Sequence, residues 1–177
     1  MLWEKQAHAG RVRSLSFDTT GALLTACGGD GTVHTWDTST GRQHSRFTNP
    51  GGWGRLVAID ATAARVAVGS GTGDIHIRDT TSDRFVGHLT GHAGRILMLT
   101  FIDNLDLLVS AAADGTVRAW SLHRGLQLGE IRVDAALNCA AADSGTGQIL
   151  AAGPAGPVLL QLRFDAVGDA IRRQPGR

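Results

Sequence analysis

His92, Ser110 and Asp114 are the residue types of a hydrolytic triad: a hydroxyl nucleophile, an imidazole base and a carboxylate that orients the base. The set is partly repeated at His8 and Asp30, and no oxyanion-hole signature surrounds the serine. Residues that recur at fixed spacing read as architecture, so no catalytic residue is assigned. Gly69-Ser-Gly-Thr-Gly73 has the composition of a phosphate-cradling loop. Such a loop opens a helix, whereas Ile75-His-Ile77 alternates as a strand, so the glycines mark a turn. Seven histidines raise the question of a metal, yet His34, His44, His76 and His88 show no His-x-x-x-His or Cys-His spacing. Neither a metal nor a cofactor is expected.

The elements that must position these residues are short. Hydrophobic residues make up 42% of the 177-residue chain and charged residues 19%, which fits a folded domain rather than a disordered one. Twenty-four glycines imply many tight turns between short strands, an all-β signal. A net charge of +1 supplies no broad field for nucleic acid or an anionic membrane, so neither is expected as a partner. Cys27 and Cys139 form no CxxC pair and each sits in an apolar stretch, so both are expected as reduced core residues. No leader-like or membrane-spanning run is evident, and a cytoplasmic placement is expected.

An internal repeat organises the chain. His8-Ala-Gly-Arg-Val-Arg-Ser-Leu-Ser-Phe17 recurs as His92-Ala-Gly-Arg-Ile-Leu-Met-Leu-Thr-Phe101, Asp30-Gly-Thr-Val33 as Asp114-Gly-Thr-Val117, and Trp36 as Trp120, all displaced by 84 residues. Half that displacement exposes a degenerate copy, with Val57 and Ile59 in the places of Leu15 and Phe17, and Gly73 in that of Gly31. A fourth copy, one residue shorter, places Ala140 and Ala142 at the Leu15 and Phe17 positions and Gly156-Pro157-Val158 at Gly31-Thr32-Val33. The copies run over about 7–47, 48–89, 90–131 and 132–165, ahead of a flexible basic tail at 166–177. Within the first copy, strands are predicted at 12–17, 23–27, 33–36 and 42–47, separated by Gly-rich turns. That is a four-stranded antiparallel meander, and strands so closely spaced leave no room for crossover helices.

Gly91-His92, the interval of 22 residues to Asp114, and Trp120 six residues later resemble the WD40-repeat family of β-propellers, as do His8, Asp30 and Trp36-Asp37. The resemblance implies four WD40-type blades, each a four-stranded antiparallel sheet, forming part of a propeller or half of a larger ring. It also implies a buried hydrogen-bonded chain through His92, Ser110, Asp114 and Trp120. The first copy has His8, Asp30 and Trp36 but Ala26 in the serine position, so its chain is expected to be incomplete. The second copy has Pro50, Thr72 and Arg78 where His, Asp and Trp belong, and the fourth has Val133, Ala155 and Gln161. Both are expected to rely on apolar packing alone.

The phase of the repeat puts Leu2-Trp3-Glu4-Lys5 where the outer strand of a preceding blade belongs, and Phe164 after the third strand of the last copy. The N-terminal strand is therefore expected to complete the final blade. Rings of this family usually hold about seven blades, so four are expected to form a segment of a longer propeller, or to pair with another arc, for instance as an eight-bladed homodimer. Arg11, Trp53 and Arg95 each precede the inner strand of a copy and would gather on one face. They are either partner contacts, favouring an acidic or phosphorylated protein or peptide, or ordinary exposed side chains with Trp53 plugging a gap. The expected function is a non-catalytic protein-interaction scaffold. The alternatives are a propeller hydrolase with a central-channel site, and a purely structural propeller fragment.

Overall fold

A computed structural model describes residues 3–82, 84–102, 105–133, 135–143 and 148–161. Leu2, Phe164 and the predicted basic tail lie outside the described residues. Among the described residues fifteen strands form four antiparallel sheets in chain order, with no α-helix. Blade one holds β1 (Val12–Phe17), β2 (Leu23–Gly28), β3 (Thr32–Asp37) and β4 (Gln43–Thr48). Blade two holds β5 (Gly54–Ile59), β6 (Arg65–Ser70), β7 (Ile75–Asp79) and β8 (Phe85–Leu89). Blade three holds β9 (Ile96–Ile102), β10 (Leu107–Ala112), β11 (Thr116–Ser121) and β12 (Leu126–Arg132). Blade four holds β13 (Cys139–Asp143), β14 (Gln148–Gly153) and β15 (Gly156–Gln161), with β15 outermost among the described residues.

Each sheet is a meander whose first strand packs beside the first strand of the next, β1 by β5, β5 by β9 and β9 by β13. Alternation along the strands sends one set of side chains back toward the preceding blade and the other forward. The core is accordingly three clusters, one per junction. Cys27, Val33 and Phe47 meet Val57, Ile59 and Val68 between blades one and two. Ala58, Ile77 and Leu89 meet Leu99, Phe101 and Trp120 between blades two and three. Met98, Val109 and Val117 meet Leu137, Ile149 and Leu160 between blades three and four.

The Gly69–Gly73 loop is the β6–β7 turn. Ser70 Oγ accepts from the amides of Thr72 and Asp74 at 3.1 and 3.0 Å, and Gly73 closes the turn at φ +104°. A Cβ on Gly73 would lie 2.3 Å from the His92 carbonyl oxygen, so the turn needs glycine for close approach as well as for its dihedral. No described helix is long and apolar enough to cross a membrane.

Three expectations need correction. Residues 3–8 form no strand: the Trp3 indole donates to the Thr38 carbonyl at 2.7 Å and lies against Gly41 on its own blade, so among the described residues the N-terminal segment adds no strand to blade four. Cys139 is exposed, because alternation along its strand turns Ala140 and Ala142 toward blade three and the Cys139 side chain away from it; Cys27 is buried as expected, and burial pushes its thiol up to about 11. The third strand of the last copy sits one residue earlier than the spacing predicted. Leu160, paired with Ile149, takes the position of Trp120 paired with Leu108, because the β14–β15 turn is one residue tighter.

Candidate functional site

The polar set of blade three is a relay inside the sheet. The Trp120 indole donates to Ser110 Oγ at 2.8 Å, and Ser110 lies 2.7 Å from His92 Nε2. Asp114 accepts from the Ala93 amide at 2.8 Å and from the Thr116 amide and hydroxyl at 2.9 and 2.7 Å. His92 Nδ1 faces Asp114 Oδ2 at 3.1 Å and Thr116 Oγ1 at 2.9 Å. One proton arrangement satisfies every group: neutral His92 carries its hydrogen on Nδ1 and donates to the carboxylate, while Nε2 accepts from the Ser110 hydroxyl. Burial lowers the His92 pKa, consistent with the neutral ring. Burial of Asp114 opposes ionisation, but the hydrogen bonds from Thr116 and Ala93 outweigh it and lower its pKa to about 2.

These are the contacts of a triad without its access. Ser110 is 0% exposed and its oxygen is engaged by both Trp120 and His92, so no substrate carbonyl reaches it. The arrangement locks the β9 entrance, the β10 strand and the β10–β11 turn to one another.

Blade one builds half of the same relay. His8 Nδ1 lies 3.2 Å from Asp30 and 2.9 Å from Thr32 Oγ1, and Asp30 accepts from the Ala9 amide at 2.8 Å. With Ala26 in the serine position, His8 Nε2 is buried without a hydrogen-bond partner. Trp36 stacks on His34 instead, with ring centroids 5.4 Å apart. Blade two replaces the relay, and not by apolar packing alone. Arg78, in the tryptophan position, lies over Phe47 of blade one at 4.6 Å and over Phe85 at 4.8 Å. Arg65 pairs with Asp60 at 3.0 Å and reaches Asp106 of blade three, stitching that junction. Blade four has Ala151 and Leu160 at the serine and tryptophan positions, both in the apolar core.

Arg11, Trp53 and Arg95 lie at the entrances of β1, β5 and β9, all exposed, with Trp53 at 70%. The Arg11 and Arg95 carbonyls accept from the Gly29 and Ala113 amides at 2.8 and 3.0 Å, so both sit at the end of the arc that carries the β2–β3 and β10–β11 turns. Spacing alone did not single out their neighbours Arg13, Arg55 and Leu97. These are the extra residues of β-bulges in β1, β5 and β9, and together with Leu56 and Ile96 they line a cavity of about 310 Å³. The available signal was that Arg13 and Arg55 are 42 residues apart, one repeat. His76 and His88 stack across β7 and β8 at 4.5 Å, with Asp74 3.4 Å from His88; among the described residues no three His, Cys, Asp or Glu side chains gather as a metal site.

Comparison with known proteins agrees with this architecture. The family model "WD domain, G-beta repeat" matches residues 2–37 and 83–121, the two copies that carry His, Asp and Trp. A stretch of 38 residues is 55% identical to ribosome biogenesis protein ERB1 of Coccidioides immitis, covering 22% of this chain and 4% of that protein. The likeness is thus about one repeat long. Among solved structures, the computationally designed Ika4 protein superposes with a TM-score of 0.74 at 19% identity, covering 89% of this chain and 95% of that one. The RRP9 WD40 repeats superpose at 0.71 and 16% identity, covering 88% of this chain and 52% of that one. With four consecutive blade-type sheets, the repeat residues of blades one and three in place and WD40 repeat structures as neighbours, the chain carries WD40 repeats in blades one and three and has the fold of a WD40-type β-propeller arc.

Proposed function

We propose that the chain is a non-catalytic scaffold whose inner-strand entrances bind an acidic or phosphorylated segment of a protein partner. The observation that carries this reading is the rim itself. Trp53, exposed over most of its surface, stands at the entrance of the middle blade, with Arg11 and Arg95 at equivalent entrances on either side and Arg13 and Arg55 behind them along one cavity. Guanidinium groups recognise carboxylate and phosphate through paired hydrogen bonds, and an exposed indole supplies rigid apolar area at little entropic cost. The buried relay, the set nearest to catalytic chemistry, is closed to substrate, which favours binding over hydrolysis.

The test is binding of matched phosphoserine, glutamate and neutral peptides, read by fluorescence anisotropy on wild type and on the triple variant R11A/W53A/R95A. Phosphorylated or acidic peptides binding wild type at least tenfold more tightly than the variant support the rim. Equal binding by both proteins, or no preference for the charged peptides, refutes it. A second reading concerns place rather than chemistry. The repeat shared with ribosome biogenesis proteins favours work at ribosome assembly over the cytoplasmic placement expected from sequence, and localisation of the tagged full chain separates the two.

A further inference from the structure

The two ends of the arc leave apolar surface that every internal junction buries. On β1, Leu15 and Phe17 are 59% and 57% exposed, with Val12 exposed beside them. Their register equivalents on β9, Ile96, Leu99 and Phe101, are buried against blade two. At the other end, Leu150 and Leu159 are 50% and 57% exposed, and Cys139 is exposed on the adjoining strand. The pairing aligns Cys139, Ala141, Leu150 and Leu159 with Leu56, Ala58, Ala67 and Ile77, the surface of blade two on which blade three sits. The front of blade one therefore repeats the front of blade three, and the back of blade four repeats the back of blade two.

We infer that these faces are the two halves of one further blade junction and that a second copy of this chain occupies both. Blade one of each copy seats on blade four of the other. The junction between blades two and three already shows that surfaces of this kind pack together, so the interface continues one built into the chain. Two arcs joined front to back at both ends close an eight-bladed ring with no free face, within the propeller range of about four to eight blades. The N-terminal segment fits the same plan. Residues 3–5 stand 84 positions ahead of the end of β8, the outer strand of blade two, yet they form no strand here. In the ring they meet the outer edge of the partner's blade four. This inference goes beyond the rim reading and involves none of its residues.

The experiment is the absolute mass of the full chain by multi-angle light scattering over a dilution series, for wild type, Phe17→Glu and Leu159→Glu. Both substitutions fall on surface exposed in the single arc, and far-UV circular dichroism checks that each variant keeps its sheets. Wild type is expected at twice the 18.5 kDa chain mass and each variant at the single-chain mass. An equimolar mixture of the two variants, which retains one intact junction, is expected to recover dimer. Maleimide labelling of Cys139 should be several-fold slower in wild type than in either variant. Wild type at 18.5 kDa throughout overturns the inference, as would occur if the arc closed on itself or took its next blade from another protein. Dissociation by Phe17→Glu but not by Leu159→Glu overturns it in favour of front-to-front pairing, and mass that grows past two copies overturns it in favour of an open array.

Discussion

Blades one and three are the same repeat 84 residues apart, and they differ in how their polar groups are satisfied. In blade three, Ser110 joins Trp120 to His92 and every nitrogen of the ring has a partner. In blade one, Ala26 breaks the relay at the same register position and leaves His8 Nε2 buried and unpaired. Asp30 is nevertheless held well below the usual carboxylate range: burial opposes ionisation, but hydrogen bonds from Thr32, Ala9 and His8 outweigh it. The turn half of the motif thus survives without the strand half. The aspartate fixes the turn by local hydrogen bonds, whereas the serine ties together strands that packing already holds.

The largest separation between the two blades should come from their tryptophans. Trp120 is buried at a blade junction, so Trp120→Ala is expected to cost about 3–5 kcal/mol of unfolding free energy. Trp36 is also buried, but against His8 and His34 of its own blade and outside the clusters between blades, so Trp36→Ala should cost measurably less, and equal losses in urea denaturation would contradict the comparison. Next is Ser110→Ala, which strands the indole N–H and the imidazole together and is expected to destabilise by about 1–3 kcal/mol. A cost near zero would mean that the relay is ornamental.

The reverse change, Ala26→Ser, should complete blade one and raise stability by about 0.5–1.5 kcal/mol, with no gain expected once His8 has been replaced by alanine. That double-mutant dependence is the sharpest check, because a gain independent of His8 would have some other source. The smallest effect is one of pH. The folded-state pKa of His92 is depressed from its ordinary 6.5, so the unfolded chain binds more protons below that value and stability should fall as pH drops from 7 through 6.5. His34 and His76, also depressed by burial, act in the same direction. The Asp114 carboxyl, lowered to about 2, contributes stability present above the unfolded carboxylate range and lost as pH falls from about 4 toward 2. Thermal unfolding from pH 8 to 3 checks both windows, and Ser110→Ala should leave the acid limb in place.

The strands of blade one fall within a residue of those predicted, because alternation and turn glycines act over a few residues and need no knowledge of the fold. The relay of blade three was implied by the family resemblance of His92, Ser110, Asp114 and Trp120, and the structure brings these four side chains into one hydrogen-bonded set. Legibility failed where a residue's surroundings depend on which blade stands beside it. The apolar stretch around Cys139 predicts burial, yet among the described residues no blade stands on that side of blade four. Arg78 reads as a lost tryptophan, and only the packed junction shows it lying between Phe47 and Phe85. Arg13 and Arg55 look like ordinary exposed cations until the bulges of β1 and β5 turn them toward one cavity.

The sequence by itself determined the number of repeats and the strand order within them, and both follow from a repeat read along the chain, where hydrophobic alternation and turn residues act on near neighbours; the His–Ser–Asp–Trp relay was implied by the family resemblance and not by the repeat alone. Only the tertiary structure decided that Cys139 points outward, that Trp3 docks on its own blade and that β15 slips by one residue. Those outcomes depend on how successive blades pack and on which face lacks a neighbour, and a spacing of 42 residues carries no information about either.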